Sequence, residues 1–152
     1  MRTPILLALA LAALAGCRPF VAATPPGFVD LGDRYGSNEY RATTADGVVI
    51  GIRAFDNDPK GEMPFWSRAL ERRMREMAGY ALLEQHEVKN RTGLTGLEMR
   101  FGHDEGKDPY VYTVALFVTD KKVFVIEAGG LKAEVVKQEA QIAWAIHNFA
   151  PK

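Results

Sequence analysis

From residue 39 onward, apolar residues recur with two alternating periods, and the places where the period switches mark the elements. Residues 39–44 and 48–55 are β-prone runs flanking Ala45-Asp46-Gly47, a turn chemistry that predicts a hairpin. Residues 56–61 are polar and break the pattern. Pro64 then opens a helix in which Phe65, Trp66, Ala69, Leu70, Met74 and Met77 recur every three to four residues, and Gly79 closes it. Four β-prone runs follow at 80–88, 97–101, 110–119 and 123–128. Gly93 and Gly96, the stretch 103–109, and Asp120-Lys121-Lys122 separate them, which predicts an antiparallel meander. Period-two geometry puts Tyr112, Val114, Leu116 and Val118 on one face, with Ala115 and Phe117 on the other. A last helix over 132–149 aligns Val135, Ile142, Ile146 and Phe149, with Pro151 as its stop. Hairpin, helix, four-strand meander and helix make an α+β chain with an antiparallel sheet.

The N-terminus follows a different pattern. Arg2 precedes an unbroken Leu/Ala/Ile run over 5–14, the charged start and apolar centre of an export signal, too short to span a bilayer. The run ends in Leu14-Ala15-Gly16-Cys17, which resembles the lipobox of bacterial lipoproteins. That resemblance implies removal of residues 1–16, palmitate-type lipidation of Cys17 and a membrane anchor in the cell envelope. Arg18 after the cysteine, in place of Asp, resembles the sorting pattern for the outer membrane, facing the periplasm. Residues 17–27 then read as lipidated cysteine and tether, punctuated by Pro19, Pro25, Pro26 and Gly27, and residues 28–152 as a single domain. Fully extended at about 3.3 Å per residue, the tether would reach roughly 35 Å. For the part after Pro26 the alternative is an irregular arm packed along the domain.

The element order, with Phe65-Trp66 opening the first helix and Glu127-Ala128-Gly129-Gly130 ending the last strand, resembles the PsbP-like fold. The resemblance implies α/β/α layers and a binding or assembly protein rather than an enzyme. A cystatin-like or nuclear-transport-factor-like cone is the alternative architecture.

Composition narrows the chemistry. Nineteen basic and nineteen acidic residues give no net field, so no nucleic-acid partner is expected. Cys17 is the only cysteine; once lipidated it leaves no thiol for a disulfide, a thiolate metal site or a nucleophile. Asp56-Asn57-Asp58-Pro59-Lys60-Gly61 has the outline of a calcium loop. Lys60 stands where the third ligand belongs and Ser67 where a bidentate Glu should be, so the favoured reading is a connection whose Asp and Asn side chains satisfy local amides. Glu62 fits the same picture by placing negative charge at the helix start. His103, Asp104, Glu105 and Asp108 read as a solvated hairpin loop, and His86 and His147 have no partner at ligand spacing. After removal of the signal the serines are Ser37 and Ser67, neither in a nucleophile elbow. Gly129-Gly130-Leu131-Lys132 lacks phosphate-loop spacing and reads as a tight strand-to-helix turn.

Arg68, Arg72, Arg73 and Arg75 crowd the first helix. Pairing of Glu71 with Arg75 and of Arg72 with Glu76 makes a solvated face the favoured reading over contact with anionic lipid. Asn90-Arg91-Thr92 matches a glycosylation sequon by pattern alone. No catalytic, cofactor-binding or metal-ligating residue is assigned, and Cys17 is the one site residue. The leading expectation is a lipid-anchored, non-catalytic binding or assembly module with an envelope protein as partner. The second is a carrier or sensor of a small apolar ligand lined by Trp66, Tyr80, Tyr112 and Phe117, and an enzyme of unknown class is third.

Overall fold

The structure, a computed structural model, describes residues 18–32 and 39–152; the expected export signal over 1–16, Cys17 and Ser37 lie outside them. Among the described residues the chain forms β1 (Phe20–Val21), β2 (Val29–Asp30), β3 (Glu39–Thr43), β4 (Val49–Asp56), α1 (Met63–Ala78), β5 (Ala81–Lys89), β6 (Thr95–Glu105), β7 (Asp108–Val118), β8 (Lys122–Leu131), α2 (Lys132–Lys137), α3 (Glu139–Asn148) and β9 (Ala150–Pro151). Seven strands make one antiparallel sheet in the order β2-β3-β4-β8-β7-β6-β5. The predicted hairpin is β3–β4, with Gly47 at φ 83° in its turn, where a side chain would be strained. The predicted meander is β5 to β8, and β7 and β8 are adjacent and antiparallel, Tyr110 opposite Leu131 and Val118 opposite Val123.

Alternation along the strands divides the core in two. Ala115, Phe117, Phe124, Ile126 and Ala128 face α2 and α3, where Val135, Ile142, Ile146 and Phe149 meet them as the helical spacing predicts. Val114, Leu116, Val123 and Val125 face the other way, toward α1, together with Met99 and Phe101. The result is the expected α/β/α arrangement of layers.

The structure differs from the sequence expectations at five places. The final helix is two helices, separated at Gln138, whose backbone is no longer helical at φ −107° and ψ 9°. The stretch 103–109 is not a long loop: β6 runs to Glu105 and β7 begins at Asp108, so only Gly106-Lys107 turns, with Gly106 at φ 64°. Gly129-Gly130 is not a strand-to-helix turn but strand, paired with Tyr112 and Val111. Met77, expected on the buried face of α1, is 77% exposed, and Phe65 and Ala69 also face solvent; the inward stripe is Met63, Trp66, Leu70 and Met74.

The fifth difference is the supposed tether. From Arg18 to Phe28 the chain is packed onto the domain: Phe20 and Phe28 belong to the core beneath α3, β1 pairs with β9, and the Lys152 amide donates to the Pro19 carbonyl at 3.0 Å. Tyr40 holds the same arm, its hydroxyl donating to Thr24 Oγ1 at 2.9 Å and its ring lying 5.8 Å from the Arg18 guanidinium carbon. An apolar anchor at Phe20 outweighs the proline punctuation that suggested a free linker.

Candidate functional site

α1 lies over β5, β6 and β7. On that side of the sheet no second helix lies among the described residues, which leave the β3–β4–β8 half uncovered, and a cleft runs between α1 and the strands. Every other residue of β4 lines this side, namely Val49, Gly51, Arg53 and Phe55, and so do Val123, Val125, Glu127 and Gly129 of β8. The cleft has two halves, of about 320 and 350 Å³, meeting where Arg53 Nη2 contacts Glu127 Oε2 at 3.0 Å.

The first half is apolar and aromatic. Its floor is Leu116, Val123 and Val125, its walls are Phe55 on one side and Trp66 and Leu70 on the other, and Arg73 stands at the rim. Phe55 and Phe65 stack edge-on against Trp66 with ring centroids 5.4 and 5.1 Å away, and both remain partly exposed. Asn57, buried beside them, fixes this cluster. Its Oδ1 accepts from Trp66 Nε1 at 2.8 Å and from the Gly61 amide at 2.9 Å, while its Nδ2 donates to the carbonyls of Gly61 and Thr119 at 3.0 and 2.9 Å. The connection that resembled a calcium loop is therefore a brace for the helix start. A Cβ on Gly61 would come within 2.5 Å of the Phe65 ring, so glycine lets that ring sit on the backbone. Glu62 is the helix N-cap residue, and its side chain makes no capping hydrogen bond.

The second half is rich in tyrosine, with Tyr80, Tyr110, Tyr112 and Arg41 around Gly51 and Gly129. Tyr112 donates to Glu127 Oε2 at 2.6 Å, so Glu127 holds Arg53 and Tyr112 at once. Burial, then the Glu127 charge beside it, push the Tyr112 phenol well above an ordinary tyrosine, so Tyr112 serves as a hydrogen-bond donor and not as a base. Its ring needs Gly129, where a Cβ would lie 2.6 Å from Tyr112 Cδ2. Tyr80 stacks between Tyr112 and His103, and His103 Nδ1 is 3.1 Å from the Gly79 carbonyl.

Of the residues expected to line a ligand cavity, Trp66, Tyr80 and Tyr112 share this cleft. Phe117 does not: it is fully buried on the opposite face against Phe149. The arginine cluster on α1 sorts into two classes. Arg72 pairs with Glu76 at 3.0 Å and Arg75 with Glu71, as their spacing predicts, whereas Arg73 makes no ion pair among the described residues. Sequence pattern placed all four on one helix; the missing signal was which of them the cleft adjoins.

A second groove, of about 360 Å³, lies on the other face between α3 and the β5–β6 edge. Arg100 bridges it, 2.8 Å from Glu139 and 3.6 Å from Glu84, and His86 Nε2 is 3.9 Å from Glu98 Oε1. Burial raises the Glu98 carboxyl above its ordinary value, opposed by the nearby His86 and Arg100. These charges satisfy one another and join α3 to the sheet edge. Among the described residues, no group of three His, Cys, Asp or Glu side chains is placed to hold a metal ion, and no helix is long and apolar enough to cross a membrane. Asn90 is 97% buried and its Oδ1 accepts from the Thr92 and Leu94 amides, so the sequon is a folded turn.

No protein-family model matches the sequence, and no curated protein sequence matches it. Solved structures do. The chain is similar to the Ran-binding protein Mog1p of Saccharomyces cerevisiae, with a TM-score of 0.59 and 16% identity over 88% of this chain and 90% of that one. It is similar to LpqN of Mycobacterium tuberculosis, a protein involved in cell envelope biogenesis, with a TM-score of 0.59 and 9% identity over 87% and 83%. It is also similar to the cyanobacterial PsbP of Synechocystis, with a TM-score of 0.54 and 6% identity over 88% and 87%. At these identities the likeness establishes the fold, which is PsbP- and Mog1-like.

Proposed function

We propose that the chain is a lipid-anchored protein of the bacterial envelope, held at Cys17, whose α+β domain is a non-catalytic binding or assembly module for an envelope protein. The observation that carries the binding role is the cleft beside α1: a half-buried Trp66 ring held by the buried Asn57, with the exposed Phe55 against it and Arg73, which has no ion pair among the described residues, at the rim. Rigid, partly exposed aromatic and arginine side chains are the groups that anchor protein interfaces. The same fold in a Ran-binding protein and in a protein of envelope biogenesis is compatible with this role.

The anchor reading rests on Leu14-Ala15-Gly16-Cys17 and on Arg2 with the apolar run behind it. The packed arm adds a consequence. With Arg18 already against Tyr40, a lipid on Cys17 has one residue of slack, about 3.3 Å, in place of the 35 Å of a free tether. The domain then sits on its membrane, and the sorting residue Arg18 directs it to the outer membrane, facing the periplasm. A carrier of small apolar ligands is the weaker reading, because the cleft is open along one side and divided by an ion pair.

Labelled palmitate and membrane fractionation test the anchor. The native chain is expected to take up label and sediment with membranes, and Cys17→Ser to lose both while its melting temperature stays unchanged. A Cys17→Ser protein that is still cleaved and still sediments would overturn the assignment.

A further inference from the structure

The four arginines of α1 are not equivalent, and their differences single out one end of the cleft. Arg72 and Arg75 are neutralised by Glu76 and Glu71. Arg68 turns its Nε to the Pro64 carbonyl at 2.9 Å. Arg73 alone among them lines the cleft, and it has no carboxylate partner among the described residues. Facing it across the apolar floor is Arg53, about half exposed, whose contact with Glu127 engages one Nη while five N–H donors are present on a guanidinium. Two guanidinium groups thus flank a pocket walled by Phe55, Trp66 and Leu70, with the half-buried Glu127 carboxylate between them and the tyrosine half.

We propose that this cleft docks an extended acidic segment of a partner protein, seating an apolar side chain against Trp66 and a neighbouring carboxylate on Arg73 and Arg53. The proposal rests on the binding-module reading above and names its site and the class of its partner. Length favours a polypeptide: from Phe55 to Val49 the cleft follows β4 for about 20 Å, the span of six extended residues. Charge selects the sign, because a carboxylate matches the planar donor fork of arginine. Shape argues against a bilayer as occupant, since the apolar surface is the floor of a recess rather than a protrusion.

The chain has two tryptophans, Trp66 in the cleft and Trp144, 40% exposed, on α3. In the full-length chain carrying Trp144→Phe, Trp66 fluorescence therefore reports on the cleft alone. The probe is the blocked hexapeptide acetyl-Asp-Glu-Leu-Phe-Glu-Asp-amide. A saturable change in Trp66 emission is expected, at least fivefold weaker for the Asn/Gln counterpart and for Arg73→Glu, and unchanged for Arg72→Gln. No saturable change up to millimolar peptide, equal binding of the neutral peptide, or indifference to Arg73→Glu would overturn it. Phosphatidylglycerol vesicles form a parallel arm: if they alter Trp66 emission through Arg73 where the peptide does not, the occupant is a lipid surface and the proposal fails. The two readings fail separately. A chain that labels with palmitate and crosslinks to a partner through another face loses only this inference, and a chain unlabelled at Cys17 that binds the peptide retains it.

Discussion

On one side of the sheet Phe20, Phe117, Phe124 and Phe149 meet ring to ring beneath α3, each at most 2% exposed. On the other, α1 lays Met63, Trp66, Leu70 and Met74 against the strands, and none of its sixteen residues is fully buried. Both sides use the same strands with the same alternation, so the contrast comes from what covers them. Two helices, the N-terminal arm and the C-terminal strand close the first face, whereas one helix with an apolar stripe a single residue wide half-covers the second. Buried apolar area is the main source of stability. The closed face therefore carries most of it, and the open face keeps aromatic and charged groups available to a partner.

The largest effects are expected where the closed face is opened. Phe149→Ala should cost about 3–5 kcal/mol, as truncation of a buried aromatic does. A chain beginning at Phe28 should lose a comparable amount relative to one beginning at Arg18, because it lacks Phe20 and the β1–β9 pair. Urea unfolding of both chains checks this, and equal midpoints would return residues 18–27 to the status of a tether. Next comes Asn57→Ala on the open face, where the part-buried carbonyls of Gly61 and Thr119 lose their donor, at about 1–3 kcal/mol. Trp66 emission should shift with it, since its indole N–H is released.

How much of this contrast the sequence disclosed depends on the element. Val135, Ile142, Ile146 and Phe149 announce the closed face through helical spacing, and alternation separates Phe117 from Tyr112 correctly. The arm escapes the sequence pattern because a single aromatic among three prolines has no period to detect; its burial is a long-range fact about Phe124 and Phe149. Met77 is the opposite case. Spacing marks a helical stripe but not where the covered surface stops, and α1 outruns it. The cleft was legible only as its aromatic members. Asn57, Arg53 and Glu127 come from separate elements and carry no local pattern, although Asn57 beside Asp56 and Gly61 did signal a side chain bonded to nearby amides.

Smaller effects sharpen the electrostatic side of the comparison. Tyr112→Phe should cost about 1 kcal/mol by leaving Glu127 to Arg53 alone. Because the folded phenol titrates above an unfolded tyrosine, the wild type should also lose stability as pH rises past about 10, and Tyr112→Phe should remove its share of that loss. The smallest expected change is Glu98→Gln on the closed face. A carboxyl held above its ordinary value favours the folded state only while protonated, so its contribution is lost as pH rises from the unfolded value through the folded one. Glu98→Gln should therefore be slightly more stable at pH 7, by a few tenths of a kcal/mol, and equal in acid.

The division of labour between the two faces is tested most directly by native-state hydrogen exchange, resolved by residue, on the free protein. The amides of α1 should exchange through local opening at a free energy well below that of global unfolding, while those of α3 and the central strands β7 and β8 exchange only when the whole domain unfolds. Equal protection of α1 and α3 would contradict the account, because it would make the open face as much a part of the cooperative core as the closed one.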